Sequence, residues 1–315
     1  MKILLVGCGY MAKEYAKVLN GMGLDYDVAG RGAESAKAFE EATGKTPIID
    51  GLNQIRNRSG FGVYHKAIVA ASVDSLVSIT RDLIDEGLTE ILLEKPGGKT
   101  PDELRELFEY TKSKNCKVYI AYNRRFYQSV RKAQEMIRKD GGVESFNFEF
   151  TEWGHVIEPL KKSMDIKQNW FLANSSHVVD MAFYLGGEPA EIKCYSSGSL
   201  SWHTKASNFA GCGITEQGAL FSYCANWKAP GRWGVEILTG QHRFIFRPLE
   251  ELQVQNLGSV KIEKVEIDDA IDKEYKPGLY QQVDCFLKGD TKDFVTLEKQ
   301  CEFLPVYEAM LDGVH

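Results

Sequence analysis

Ile3-Leu4-Leu5-Val6-Gly7-Cys8-Gly9-Tyr10-Met11-Ala12 is the stretch whose reading decides the fold. Four apolar residues in a row read as a buried strand, and the residues after Gly9 take up a helical pattern. Between them the first glycine permits a tight turn, and the second lets the backbone approach a pyrophosphate. Ala12 stands where a third glycine is usual, a place where only a small residue allows close helix–strand packing. The free N–H groups at such a helix start suit phosphate. Glycine-rich turns also occur without ligands, and FAD or another nucleotide could use the same turn. Its position after a first strand favours a dinucleotide, with Gly7, Gly9, Tyr10 and Met11 as candidate contacts.

Working outward, short apolar runs alternate with helical patterns across residues 1–122. Strands are expected at Ile3–Val6, Tyr26–Ala29, Ala67–Ala70, Ile91–Leu93 and Val118–Ala121. Helices are expected near Ala12–Leu19, Ser35–Glu41, Val73–Glu86 and Pro101–Lys114. Thr100-Pro101-Asp102-Glu103 gives the last of these a defined start, with Thr at the N-cap, Pro at N1 and Glu at N3. This grammar predicts an α/β fold, a Rossmann doubly wound parallel sheet over residues 1–122.

After a helix near Phe126–Arg138 the pattern changes. Phe146, Phe148 and Phe150 alternate with Asn147 and Glu149, as a half-buried strand requires. Further period-two segments follow near Ile192–Ser196, Ala219–Trp227, Trp233–Thr239, Arg243–Phe246 and Val260–Ile267, with one helix near Ser176–Leu185. Residues 123–315 are therefore expected to form an α+β domain for substrate binding and oligomerisation, built on a mostly antiparallel open sheet. Two helices, near Leu279–Leu287 and Leu297–Leu311, close the chain, and Pro305 should kink or split the second.

The 315 residues suit two domains, and 43% hydrophobic with 26% charged residues suits packed cores. A net charge of −6 argues against nucleic-acid binding, which needs a basic footprint. The seven cysteines are scattered without a C-x-x-C pair, and the six histidines lack ligand spacing, so neither a disulfide framework nor a metal site is expected. The apolar opening is too short for a signal peptide, and no run of about twenty apolar residues follows, so a cytoplasmic protein without a membrane segment is expected.

The second strand refines the cofactor. A ribose-binding acid is expected about twenty residues beyond the glycine turn. The strand ends instead in Val28-Ala29-Gly30-Arg31-Gly32. Arg31 can form charge-assisted bonds to a 2′-phosphate. NADP is therefore favoured, with NAD the alternative.

Ile91-Leu92-Leu93-Glu94-Lys95-Pro96-Gly97-Gly98 sits at a strand's carboxyl end, where open α/β sheets bind ligands. With the glycine turn, this segment resembles the glucose–fructose oxidoreductase/inositol dehydrogenase (Gfo/Idh/MocA) family, whose signature there is Glu-Lys-Pro. Two other segments agree with it: Ala121-Tyr122-Asn123-Arg124-Arg125-Phe126, like the family's crossover into its second domain, and Ser176-His177-Val178-Val179-Asp180 followed by Leu185-Gly186-Gly187. The resemblance implies an NAD(P)-dependent dehydrogenase or reductase acting on CH–OH groups. It adds Ala70, Ala71, Glu94, Lys95 and Asn123 to Arg31 and the turn as cofactor contacts. Lys95 would hold the reacting oxygen and His177 would exchange its proton.

That chemistry is sound independently, since moving a hydride between an alcohol and a carbonyl needs a proton partner and a cation for alkoxide charge. At a helix start the dipole would also keep His177 neutral. One departure stands out. The family commonly has Asp four residues before the histidine, and this chain has Ala173. Asn174 or Asp180 is expected to hold the imidazole instead. If neither does, a non-catalytic dinucleotide-binding sensor or regulator is the rival.

Trp153, His155, Lys161, Lys162, Lys167 and Trp170 are compatible with a sugar, a sugar nucleotide or a cyclic polyol as substrate. A homodimer or homotetramer formed through the C-terminal sheet is expected, with Phe221, Tyr223 and Trp227 supplying apolar surface.

Overall fold

Ile3–Val6 forms β1, with all four residues buried, as a strand covered on both faces must be. The computed structural model describes residues 1–58 and 60–313. On one side of β1 lie β2 (Tyr26–Gly30) and β3 (Ile48–Ile49); on the other lie β4 (Lys66–Val69), β5 (Glu90–Leu93) and β6 (Lys117–Ile120). These six strands are parallel, and the sheet is completed by the short strand Val295–Thr296, which runs antiparallel along β6. The strand order reverses between β1 and β4, which is where open α/β sheets form their ligand crevice. The start of the helix Pro101–Ser113 follows its sequence signature: Thr100 Oγ1 accepts from the Glu103 N–H at 3.2 Å, and the Glu103 carboxylate accepts from the Lys99 N–H at 2.7 Å.

The chain divides into two compact units, residues 1–123 with 272–302, and residues 124–271 with the segment from Phe303 on. A boundary near residue 122 was expected, but not the return of 272–302. That return has a physical basis. The helix Leu279–Lys288 packs against Tyr10–Gly21, and Val295–Thr296 covers the edge of β6. The helix Leu297–Asp312 continues through Pro305 without a split.

The second unit holds an eight-stranded sheet. Its strands are β7 (Ser145–Glu149), β8 (Pro189–Ser197), β9 (Asn208–Thr215), β10 (Leu220–Asn226), β11 (Gly234–Leu238), β12 (His242–Phe246), β13 (Gln253–Asn256) and β14 (Ile262–Lys264). They lie in the order β14-β13-β12-β11-β7-β10-β9-β8, antiparallel except for the pair β7–β10. β9 has no sequence expectation, because Gly211 and Gly213 break its apolar alternation. A Cβ at Gly211 would come within 2.5 Å of the Tyr223 ring, and one at Gly213 within 2.6 Å of Phe221, so both glycines make room for aromatic neighbours on β10.

The helix Ser176–Gly186 packs on β7 and β11 and inserts Phe183 edge-on among the rings of Phe146, Phe148 and Phe221. This corrects the reading of Phe221, Tyr223 and Trp227 as surface for a second subunit. All three are buried within the chain, and the outward positions of β10 are Leu220, Ser222, Cys224 and Asn226. Alternation identifies the apolar face of a strand but not what covers it. Among the described residues no helix is long and apolar enough to cross a membrane.

Candidate functional site

At the carboxyl ends of β1, β2 and β4 the first unit opens a cleft of about 720 Å³. Its wall brings together Gly7, Gly9, Tyr10, Met11, Arg31, Ala70 and Ala71, seven of the ten residues expected to hold a dinucleotide.

The two glycines of the turn are there for different reasons. Gly7 has φ +122°, and a Cβ on it would lie 2.2 Å from the Ala70 carbonyl oxygen, so the close approach of the chain just beyond β1 to that just beyond β4 excludes any side chain. Gly9 is extended, at φ −79° and ψ −172°, a conformation open to every residue, and its Cβ would meet nothing within 4 Å. Neither backbone nor packing requires glycine at 9. What its missing side chain does is leave bare backbone facing the cleft at the start of the helix Tyr10–Gly21, the arrangement a pyrophosphate needs.

The tip of β2 carries a similar signature. Gly30 takes the place of a ribose-binding acid, and a Cβ there would come within 2.7 Å of Cys8 Sγ. Asp27, the acid closest in sequence, is absent from the cleft wall. It accepts from the Tyr64 hydroxyl at 2.6 Å and pairs with Lys2 at 2.9 Å. Partial burial works against its charge, but those two partners outweigh it and hold the carboxyl below its ordinary range. Arg31 is exposed at the cleft. Ser35, Asp50 and Asn53 also line it and went unrecognised in the sequence, where short polar residues in loops carry no distinguishing pattern.

Glu94, Lys95 and Asn123 are not part of that wall. Glu94 lies inside the unit and accepts from the Tyr15 hydroxyl at 2.8 Å. Burial pushes its carboxyl pKa up, against the opposing pull of Tyr15 and of Lys95 and Lys276. Asn123 Nδ2 donates to the Pro277 carbonyl at 2.9 Å, tying the end of the first segment to the returning chain. Glu94 and Asn123 thus hold the segments around Lys95 in place.

In the second unit His177 is buried, 5% exposed, with its ring 6.3 Å from that of Trp233. It does not stand at a helix terminus. Phe171–Ser175 forms a π-helical turn that runs directly into Ser176–Gly186, and Ser176 itself is helical at φ −51° and ψ −26°. The expected dipole effect on His177 is corrected accordingly, since the terminus with free N–H groups lies upstream. A π-turn inside a helix often marks a functional position.

Asn174 and Asp180 have other attachments. Asn174 Nδ2 donates to Glu152 Oε1 at 2.9 Å, as does the Ser175 hydroxyl. Asp180 is bound through both oxygens to Arg125, from Nε at 2.9 Å and from Nη2 at 2.7 Å. Of the residues compatible with a sugar-like substrate, Lys167 is buried and donates to the Glu158 carbonyl at 2.6 Å, and Trp170 is buried, whereas Trp153 is exposed. Glu152, Arg124, Arg232 and Trp233, which surround this position, went unrecognised because they come together only through tertiary structure.

A doubly wound sheet with a G-x-G turn and an open cleft at its switch point defines a dinucleotide-binding domain. Residues 1–122 match the family GFO_IDH_MocA, described as an oxidoreductase family with an NAD-binding Rossmann fold, and the N-terminal domain belongs to it. This bears out the resemblance carried by Glu94-Lys95-Pro96. Among solved structures, levoglucosan dehydrogenase in complex with NADH is similar at 19% identity, covering 99% of this chain and 96% of that one, with a TM-score of 0.76. UDP-N-acetylglucosamine 3-dehydrogenase from Acidithiobacillus ferrooxidans is similar at 13% identity, 99% and 96% coverage, and a TM-score of 0.73. An oxidoreductase from Agrobacterium radiobacter, in complex with NAD+, L-tartaric acid and magnesium, is similar at 13% identity, 98% and 94% coverage, and a TM-score of 0.74. At these identities the likeness establishes the fold. No curated protein is matched by the sequence.

Proposed function

We propose that this chain is an NADP(H)-dependent dehydrogenase or reductase acting on a CH–OH group of a sugar, a sugar nucleotide or a cyclic polyol. The observation that carries the reading is the cleft, where Gly9 exposes bare backbone at a helix start and Arg31 is exposed on the wall just beyond β2. The absence of an acid at the tip of β2 supports NADP over NAD. Levoglucosan dehydrogenase and UDP-N-acetylglucosamine 3-dehydrogenase, sugar enzymes of the same fold, support a sugar-like substrate.

A bound nicotinamide dinucleotide supplies the hydride acceptor or donor. Lys95 holds the substrate oxygen and stabilises the negative charge that develops on it. His177 takes the hydroxyl proton in oxidation and returns it in reduction. Because Asp180 is committed to Arg125 and Asn174 to Glu152, both act as positioning residues for the helix that carries His177. A cytoplasmic location and a homodimer or homotetramer accompany this reading. The sheet face for assembly is the outward one, carrying Leu220, Ser222 and Cys224.

The test is a screen of sugars, polyols and nucleotide sugars for change in nicotinamide absorbance, with NADP and NAD in parallel. Turnover on at least one member, faster with NADP, is the expected result. Tight dinucleotide binding without turnover across the whole panel would favour a sensor.

A further inference from the structure

Around His177 the second unit gathers cations and aromatic rings that the proposed hydride chemistry does not use. Arg232 stacks between two tryptophans, its guanidinium 5.0 Å from the Trp153 ring and 4.6 Å from the Trp233 ring. Arg124 lies over Trp233 as well, at 4.8 Å. Both guanidinium groups thus lie within 5 Å of the Trp233 ring, whose centroid is 6.3 Å from that of His177. Trp153 is pinned by its Nε1–H, which donates to the Gly231 carbonyl at 2.8 Å.

Three further features give the cluster a direction. Arg124 Nε and Trp233 Nε1 are buried donors with no hydrogen-bond acceptor among the described residues, and Trp233 is only 5% exposed. Buried donors of this kind are rare in folded proteins and call for an acceptor. The ion pairs of the described residues are also unevenly shared. Arg125 and Asp180 satisfy one another, and Glu152, 3.5 Å from Arg232 and already accepting from Asn174 and Ser175, answers one of the two remaining guanidinium groups. Arg124 itself has no carboxylate within 4 Å among the described residues, the nearest charge acting with it being that of Asp180. Finally, the Arg232 side chain is 47% exposed, so its outer edge is open to a ligand.

We infer that the substrate recognised beside His177 carries an anionic group, a carboxylate or a phosphate, held by Arg232 and Arg124 with Trp233 Nε1 as an additional donor. Guanidinium fits planar carboxylate and phosphate oxygens two at a time, and stacking on tryptophan fixes its orientation in advance. An anion offers acceptors to the orphaned donors and a counter-charge to Arg124, whereas a neutral hydroxyl offers no counter-charge. The inference rests on His177 marking the substrate site, and it narrows the sugar-like class to sugar acids or sugar phosphates.

Calorimetry on the NADP-loaded protein tests it, with a panel of aldonates, uronates and sugar phosphates set against their neutral parent sugars. At least one acid or phosphate should bind tenfold or more tighter than its neutral parent, and R232Q and R124Q should each reduce that preference about tenfold. Carboxylates and phosphates form separate arms, so the panel also says which anion is taken. R124K keeps the charge while losing the fork, and it should retain part of the preference if R124Q fails to fold. Equal or tighter binding of the neutral parents would overturn the proposal, as would anion binding that R232Q leaves unchanged or the absence of anion binding at millimolar concentration. Because binding is read without turnover, failure of the dehydrogenase reading shows separately, as binding with no change in nicotinamide absorbance.

Discussion

Arg125 and Asp180 meet through two parallel hydrogen bonds, Nε to Oδ2 at 2.9 Å and Nη2 to Oδ1 at 2.7 Å, with the carboxylate side chain only 5% exposed. Burial works against the charge of each, and the Asp180 carboxylate more than offsets it for Arg125, whose pKa is held above its usual value. Removing one partner leaves the other buried and uncompensated. Asp180→Asn is expected to destabilise the fold by about 3–5 kcal/mol. Replacing both residues together with apolar side chains should recover part of that loss. Denaturant titration of the single and double variants decides it, and an Asp180→Asn protein of parental stability would refute the ionic pairing.

The glycine turn yields opposite outcomes at its two positions. Gly7→Ala puts a Cβ 2.2 Å from the Ala70 oxygen at a positive φ, and should cost several kcal/mol of stability or prevent folding. Gly9→Ala meets open space, and should leave stability within about 0.5 kcal/mol while weakening dinucleotide binding. Thermal unfolding and calorimetry with NADP separate the two effects.

Arg31→Ala is expected to weaken NADP binding about tenfold to a hundredfold and to leave NAD binding unchanged, the scale of losing one hydrogen bond to a charged group. Calorimetry with each dinucleotide gives the answer. Equal losses for both would move Arg31 out of 2′-phosphate recognition.

For catalysis, Lys95→Ala should lower turnover about a hundredfold or more, and His177→Ala by about a hundredfold to ten-thousandfold. Neither residue lines the dinucleotide cleft, so both variants should bind NADP at parental affinity. Steady-state kinetics on the best substrate of the screen, together with cofactor titration, tests both halves.

Asp27 gives a pH dependence with a definite sign. Its folded pKa is depressed, so the stability it contributes is present above its unfolded pKa of about 3.9. That contribution disappears as pH falls through the lower folded value. Asp27→Asn should therefore be less stable than the parent at neutral pH and equal to it in strong acid. A stability difference that does not change with pH would contradict the Lys2 and Tyr64 pairing.

What could be read in the sequence was local. The strand Ile3–Val6, the turn after it and the cap at Thr100 each depend on residues within about one helical turn, and all three stand as expected. The partners of Asn174 and Asp180 were not legible, because Glu152 and Arg125 lie 22 and 55 positions away and no pattern links them. β9 was hidden by glycines whose purpose is visible only once Phe221 and Tyr223 lie across from them. The burial of those same two rings shows the limit of a period-two reading, which separates two faces without saying which one the chain itself covers.

The edge strand Val295–Thr296 also bears on how this protein is made. A ribosome releases the first six strands of the parallel sheet within the first 120 residues, yet the residues that close β6 arrive only after the whole second sheet has been synthesised. Until then β6 presents an unpaired edge, the kind of surface on which nascent chains pair wrongly. The first unit is therefore closed only by Asp272–Glu302, after the whole second sheet, and just ahead of the segment from Phe303 on that completes the second unit.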